Sequence, residues 1–159
     1  MPIDSEIKFD QPSDSKQGRI IALDMGRRRV GVAVCDELRL QVRPLKVVVR
    51  TQWKELLKKV DQLIREYDAK VLVIGLPLKL DGQVGDAAQE MIKITRNFER
   101  SLSVPVVLQD ERLTSYEAEE HLRAQGLKTR QIRQQIDSEA AVVILRDYLN
   151  RLDYEAANH

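Results

Sequence analysis

Short runs of β-branched and aliphatic residues alternate along this chain with segments of helical period, and that alternation constrains the fold more than any other feature. Arg19 to Leu23, Val30 to Val34, Val42 to Val49, Lys70 to Gly75 and Val104 to Gln109 have the length and composition of buried strands. Only a few residues separate the first two, which predicts an antiparallel hairpin. Trp53, Leu56, Leu57, Val60, Leu63, Ile64 and Tyr67 then form one apolar helical stripe, with Thr51 as the expected N-cap. The fourth run comes after this helix, and the right-handed crossover rule makes it parallel to the first. A second helix carries Ala88, Met91, Ile92, Thr95 and Phe98 on one face, and the fifth strand ends in Asp110-Glu111-Arg112. Thr114 to Glu117 has a capping-box pattern and opens a helix that stops near Gly126. Thr129 is placed to cap a last helical region running to about Leu152, with Ala141, Ile144, Tyr148 and Leu152 as its core stripe. The fold class predicted is α/β, a mixed five-stranded sheet flanked by helices on both faces.

Residues 1–17 are polar, hold Pro2 and Pro12, and show no sustained period, so they are expected to form a mobile tail. No repeat or second linker interrupts the rest of the chain, which predicts a single domain over residues 18–159. The 159 residues suffice for one real core but not for a large two-lobed ATPase. With 26 Lys+Arg against 25 Asp+Glu, a strongly basic, histone-like binder is excluded, while a face of segregated charge for nucleic acid is not. Cys35 is the one cysteine, so there is no internal disulfide, and two histidines give no usual zinc spacing with it. No apolar run approaches the ~20 residues of a membrane span. The N-terminal residues have acids where a signal peptide needs basic charge, so a cytoplasmic protein is expected.

The chemistry turns on where acids sit. Asp24 closes the first strand and Glu111 comes just past the fifth. In an α/β sheet the functional crevice lies at the carboxyl ends of the parallel strands, so both acids are expected at one edge. Asp137 lies 4, 7 and 11 residues before Ala141, Ile144 and Tyr148, on the buried stripe of the last helix. A buried acid is costly unless paired. Three carboxylates brought together raise one another's pKa, and a hard divalent cation removes that penalty. Oxygen ligands select Mg²⁺ or Mn²⁺ over zinc. Two such ions ~4 Å apart can activate a water and stabilise a leaving oxygen in phosphodiester hydrolysis. Each acid also has a plain structural reading: Asp24 as a turn residue, Glu111 as the ion-pair partner of Arg112, Asp137 as a cap or salt-bridge partner.

Four ordered motifs resemble one family. Asp24-Met25-Gly26-Arg27-Arg28-Arg29-Val30-Gly31-Val32-Ala33-Val34-Cys35-Asp36 is similar to the opening DxGxKRxGVAxSD motif of the YqgF family, the Holliday-junction-resolvase-like nucleases of pre-16S ribosomal RNA. Gly75-Leu76-Pro77-Leu78 with Asp81-Gly82 resembles its GLP loop. Asp110 to Ser115 with Ala118 resembles its DERLT/S segment. Asp137, Ala140-Ala141, Ile144-Leu145 and Tyr148-Leu149 resemble its final helix. The similarity runs from about Arg19 to Leu152. It implies a ribonuclease-H-like fold and assigns Asp24, Glu111 and Asp137 as catalytic, metal-binding acids. Arg28 stands where the family usually has Lys, Cys35 where Ser is common, and Lys79 where a loop Asn is usual, which removes any hydrogen bond that Asn would make.

Around the acids, Arg27, Arg28 and Arg29 form a basic run suited to phosphate, with a solvated hairpin turn as the plain alternative. Arg112 is a further substrate contact or an orienter of Glu111. Lys128, Arg130 and Arg133 form a second basic cluster, read as a nucleic-acid grip or an exposed helix face. Cys35, Met91 and Trp53 read as packing residues, and with 7 aromatics in total, base stacking is not the main mode of recognition expected. The expected activity is metal-dependent cleavage of structured RNA, namely precursor 16S ribosomal RNA, with Mg²⁺ or Mn²⁺ as cofactor and the small-subunit precursor as partner. Two other functions fit the same residues. One is a DNA junction resolvase, which needs a homodimer for paired cuts, and the other is a non-catalytic assembly factor that binds ribosomal precursor RNA. The Asp24 to Gly31 segment also resembles the first phosphate motif of actin-like kinases, but the chain is too short for their second lobe.

Overall fold

The computed structural model describes residues 17–77, 81–111, 124 and 129–157, with side chains from Ser138 onward in the last segment. The tail over residues 1–16, Lys79, Arg112, the helix expected from Thr114 apart from helical Ala124, and Lys128 lie outside the described residues, as do the side chains of Arg130, Arg133 and Asp137.

Within them the order is β1 (Ile20–Met25), β2 (Arg29–Cys35), β3 (Val42–Pro44), β4 (Val48–Val49), α1 (Trp53–Glu66), β5 (Val71–Leu76), α2 (Asp86–Ser101), β6 (Val106–Asp110) and α3 (Thr129–Ala157). The sheet order is β3-β2-β1-β5-β6, with β4 also on β2. The hairpin β1–β2 is antiparallel, with Asp24 opposite Gly31, while β1, β5 and β6 are parallel neighbours. Gly26 makes the hairpin turn possible. Its N–H donates to the Arg29 carbonyl at 3.0 Å, and a Cβ there would lie 2.6 Å from that same oxygen.

The expected third strand is divided, which gives the mixed sheet six strands. Ala33 and Val30 are three residues apart on β2, but their partners Pro44 and Val48 are four apart. One extra residue in a paired strand is a bulge. It falls between Leu45 and Val48, after the register of β3 on β2 ends. Leu45 still donates to the Val32 carbonyl at 2.8 Å, so the segment stays attached to β2.

Strand alternation sends two sets of side chains to opposite faces. Ile21, Leu23, Leu72, Ile74, Leu76 and Leu108 face α1 and α2 and pack with Leu56, Val60, Ile64, Met91 and Phe98. Trp53 meets Phe98 with ring centroids 4.7 Å apart, which joins the two helices. Ile20, Ala22, Val71, Val73 and Val107 face α3 and pack with Ala141, Ile144, Leu145 and Tyr148. Each large aliphatic side chain so buried contributes about 1.5–3 kcal/mol. Ala140 and Ala141 let the backbone of α3 lie close over β1 and β2.

Gln52, not Thr51, is the N-cap residue of α1, and no side chain caps it. The first helical hydrogen bond runs from Leu56 N–H to the Gln52 carbonyl at 3.0 Å, so Thr51 stands one residue too early for its hydroxyl to cap. The helix is held by its buried stripe instead. The last helix runs past Leu152 to Ala157.

Candidate active site

The alternation that builds the core also aims the acids. Ile20 and Ala22 on β1 face α3, so Asp24, two residues on, shares that side. Val71 and Val73 on β5 face α3, and so does the position of Gly75. Val107 on β6 leads through Gln109 to Glu111 in the same way. Glu111 extends the ladder one step beyond β6, its N–H donating to the Leu76 carbonyl at 3.1 Å.

Asp24 and Glu111 therefore stand on two strands that β5 separates, the strands themselves about 10 Å apart. Gly75 stands level with Asp24, one step beyond the Leu23–Ile74 pair, and opposite Gln109, two residues before Glu111. With no side chain on Gly75, the Glu111 carboxyl lies over the β5 backbone. A Cβ on Gly75 would overlap that carboxyl, lying 2.9 Å from Cδ, and would come 2.7 Å from Ile144 Cδ1 on α3. The gap at Gly75 is what lets two carboxyls two strands apart meet.

The electrostatics report the meeting. Glu111 is pushed up from 4.5 to about 8, first by burial, then by the negative charge of Asp24 and a hydrogen bond between the two carboxyls, with a smaller push from Asp110. Two carboxyls share a hydrogen bond only when one of them holds a proton. Without a proton there, Glu111 Oε2 is buried with no hydrogen-bond partner among the described residues. A buried oxygen without a partner, beside a second carboxylate, is a donor set that fits a hard divalent cation. The described residues hold no group of three acidic, histidine or cysteine side chains placed for a metal. The third expected acid, Asp137, is seen in its backbone position only. Its backbone stands seven residues, about two turns of α3, before Ile144, whose Cδ1 lies over Gly75.

Arg27, Arg28 and Arg29 are exposed at the hairpin turn after Asp24, so the structure puts this basic run at the same edge. Cys35, Met91 and Trp53 pack in the core as their sequence context predicts. Two residues at this edge have no sequence signal. Arg50 donates through Nη1 to the Gly26 carbonyl at 2.9 Å, and buried Ser138 donates through Oγ to the Leu45 carbonyl at 2.9 Å. The signal for Gly75 is a glycine ending a strand otherwise free of small residues, a mark of close approach.

The family model for RuvX, described as Holliday junction resolvase, matches residues 18–151. The chain belongs to the RuvX family. Curated relatives of this RuvX chain carry the name "Putative pre-16S rRNA nuclease". One from Syntrophus aciditrophicus is 41% identical over 137 residues, covering 86% of this chain and 91% of the relative. Another, from Anaeromyxobacter sp. strain K, is 44% identical over 133 residues, covering 84% and 97%. Among solved structures, RuvC of T. thermophilus in complex with a Holliday junction substrate superposes with a TM-score of 0.52 at 13% identity, covering 84% of this chain and 96% of that one. The fowlpox virus resolvase bound to junction DNA gives 0.51 at 12%, covering 84% and 98%. At such identities the superpositions speak for the fold, which is ribonuclease-H-like. No helix among the described residues of this RuvX chain is long and apolar enough to cross a membrane.

Proposed function

We propose that this RuvX protein is a metal-dependent endonuclease that hydrolyses phosphodiester bonds in structured RNA, with precursor 16S ribosomal RNA as its substrate and the small-subunit precursor as the setting. The observation that carries the reading is the Asp24–Glu111 juxtaposition over Gly75, with the buried Glu111 carboxyl set against a second acid. The names of the curated relatives support the choice of RNA.

Asp24, Glu111 and Asp137 would hold Mg²⁺ or Mn²⁺, which when bound supplies an activated water and charge stabilisation of the leaving oxygen. The chain's own residues do the rest. Asp24 brings negative charge to the mouth of the sheet at the end of β1. Glu111 brings a second carboxyl whose place is set by its backbone bond to Leu76 and by the space over Gly75. Ile144, fully buried, closes the floor beneath them against water. Arg27, Arg28 and Arg29 stand beside Asp24 with guanidinium forks suited to the flanking phosphates. Arg112, Lys128 and Arg130 come later in the sequence as the further backbone contacts.

The test is cleavage of a precursor 16S RNA with Mg²⁺ or Mn²⁺, comparing wild type with Asp24→Asn. The wild type is expected to cut, and the variant to lose at least ~100-fold in rate. Equal rates would sink the mechanism. The description of the RuvX family as a junction resolvase supports a second reading, a nuclease for four-way DNA junctions. Paired symmetric cuts in a junction, by a dimer that leaves precursor RNA intact, would favour it. RNA binding indifferent to chelator, with no product under either metal, would favour a non-catalytic assembly factor.

A further inference from the structure

The segment from Leu45 to Arg50 holds none of the three acids and none of the hairpin arginines, yet it is tied to the elements that carry them. At one end, Leu45 N–H donates to the Val32 carbonyl of β2 at 2.8 Å, and the Leu45 carbonyl accepts from Ser138 Oγ at 2.9 Å. Ser138 is buried, 93 residues away in sequence, and is the chain neighbour of Asp137. In the middle, Val48 and Val49 pair with Val30 and Arg29 as β4. At the other end Arg50 does three things. Its N–H donates to the Arg28 carbonyl at 2.9 Å, its Nη1 to the Gly26 carbonyl at 2.9 Å, and its Nη2 to Glu90 Oε1 on α2 at 3.2 Å.

The Gly26 carbonyl is well chosen for such a hold. Gly26 N–H also donates to the Asp24 carbonyl at 3.1 Å and to the Arg29 carbonyl at 3.0 Å, so this one residue joins Asp24 to the arginine run. A guanidinium places two donors in a fixed fork, here one on the turn and one on a carboxylate of a neighbouring helix. The Arg50 side chain is only 21% exposed, whereas its Glu90 partner is 61% exposed. The bond to Gly26 is therefore the sheltered half of the fork and the ion pair the solvated half.

We infer that Arg50 and Ser138 are positioning residues of the acidic site. Through the Leu45–Arg50 strap they fix the turn behind Asp24 and the part of α3 that carries Asp137 against each other. The inference rests on the reading of Asp24 and Asp137 as ligands of one cation site. Groups that orient ligands without touching the metal commonly alter its affinity ~10–100-fold when removed. Neither residue faces substrate in this role, so the quantity they control is the affinity of the site for a cation.

The experiment titrates the full chain with Mn²⁺ alone and reads free Mn²⁺ by electron paramagnetic resonance. Each variant is held at a temperature where thermal unfolding shows it folded. Arg50→Met and Ser138→Ala are expected to weaken Mn²⁺ binding at least ~10-fold. Arg50→Lys, which keeps a cationic donor directed at the Gly26 carbonyl, is expected to recover part of that loss. Glu90→Gln removes only the solvated ion pair and is expected to stay within about threefold of wild type. A merely structural role would lower the melting temperature of Arg50→Met and Ser138→Ala and leave their Mn²⁺ affinity unchanged, and that result would overturn the inference. Should Arg50→Met not fold, Arg50→Lys and Ser138→Ala decide in the same way. Wild type that binds no Mn²⁺ would instead overturn the cation reading of the acids, and the positioning role with it.

Discussion

Gly75 lies directly beneath the carboxyl of Glu111, so close that a Cβ on Gly75 would stand 2.9 Å from Glu111 Cδ and 2.7 Å from Ile144 Cδ1. Gly75→Ala therefore asks one of two groups to move. The carboxyl is the far end of a flexible side chain and gives way more easily than Ile144, which is locked in the core. Overpacking of this kind typically destabilises by about 1–3 kcal/mol. The expected variant is folded, modestly less stable in urea, and at least ~10-fold weaker in Mn²⁺ binding. Unchanged Mn²⁺ affinity would mean that Glu111 does not need the space over Gly75.

The proton affinity of Glu111 makes a prediction about metal-free stability. Its folded-state pKa, about 8, is above the ordinary 4.5. Below about 4.5 the carboxyl is protonated in both states and contributes no pH dependence. As pH rises from there, the unfolded chain releases the proton while the folded chain keeps it, so folding is progressively disfavoured until about pH 8, where the effect levels off. Glu111→Gln removes this loss. Without metal, the variant should be more stable than wild type at pH 8 by on the order of a few kcal/mol, and the gap should close towards pH 4.5. Asp24→Asn should shrink the same pH dependence, because the Asp24 charge is one of its causes. Urea denaturation in the presence of chelator, repeated across this pH range, checks both. Equal slopes for wild type and Glu111→Gln would contradict the buried-pair reading.

The arginine run makes a separate prediction about salt. Arg27, Arg28 and Arg29 are exposed beside Asp24. A cation that neutralises a phosphate contributes about 0.7–0.9 to the slope of log affinity against log salt. Replacing any one of the three by Gln should reduce that slope by roughly one contact and weaken binding alike across RNA sequences. The measurement is RNA binding by a cleavage-deficient Asp24→Asn chain at several salt concentrations. A slope indifferent to all three substitutions would return the run to a solvated turn.

What is legible in the residues depends on the range of each interaction. Asp24 and Glu111 can be placed at one edge because strand polarity is local, and the crossover rule carries it from β1 to β5 and β6. Their actual meeting cannot be read, because it depends on register: Gly75 must come level with Asp24 and within reach of the Glu111 side chain, and neither the β1–β5 nor the β5–β6 register is written in either strand alone. The third strand reads as continuous because Val47-Val48-Val49 looks like one core, while in the fold one extra residue between Leu45 and Val48 breaks the ladder. The cap expected at Thr51 is off by one position, within the usual uncertainty of helix ends. Arg50 and Ser138 carry no signal at all, since what gives them a role is a carbonyl 24 or 93 residues away.

The last prediction uses the one tryptophan of the chain. Trp53 packs against Phe98 with ring centroids 4.7 Å apart, on the face of the sheet opposite Asp24 and Glu111. Phe98 is fully buried, so Phe98→Ala should destabilise by about 3–5 kcal/mol, through lost burial plus the cavity that remains. It should also shift the Trp53 emission to the red as water reaches the indole. Substitutions of Asp24, Glu111 or Asp137 act on the other face and should leave that emission as in wild type while they reduce Mn²⁺ binding. The two signals thus separate loss of the core from loss of the site. A red-shifted Trp53 in Asp24→Asn would show that the two faces of the sheet are coupled, and that its lost cleavage reflects disturbed packing as well as a missing ligand.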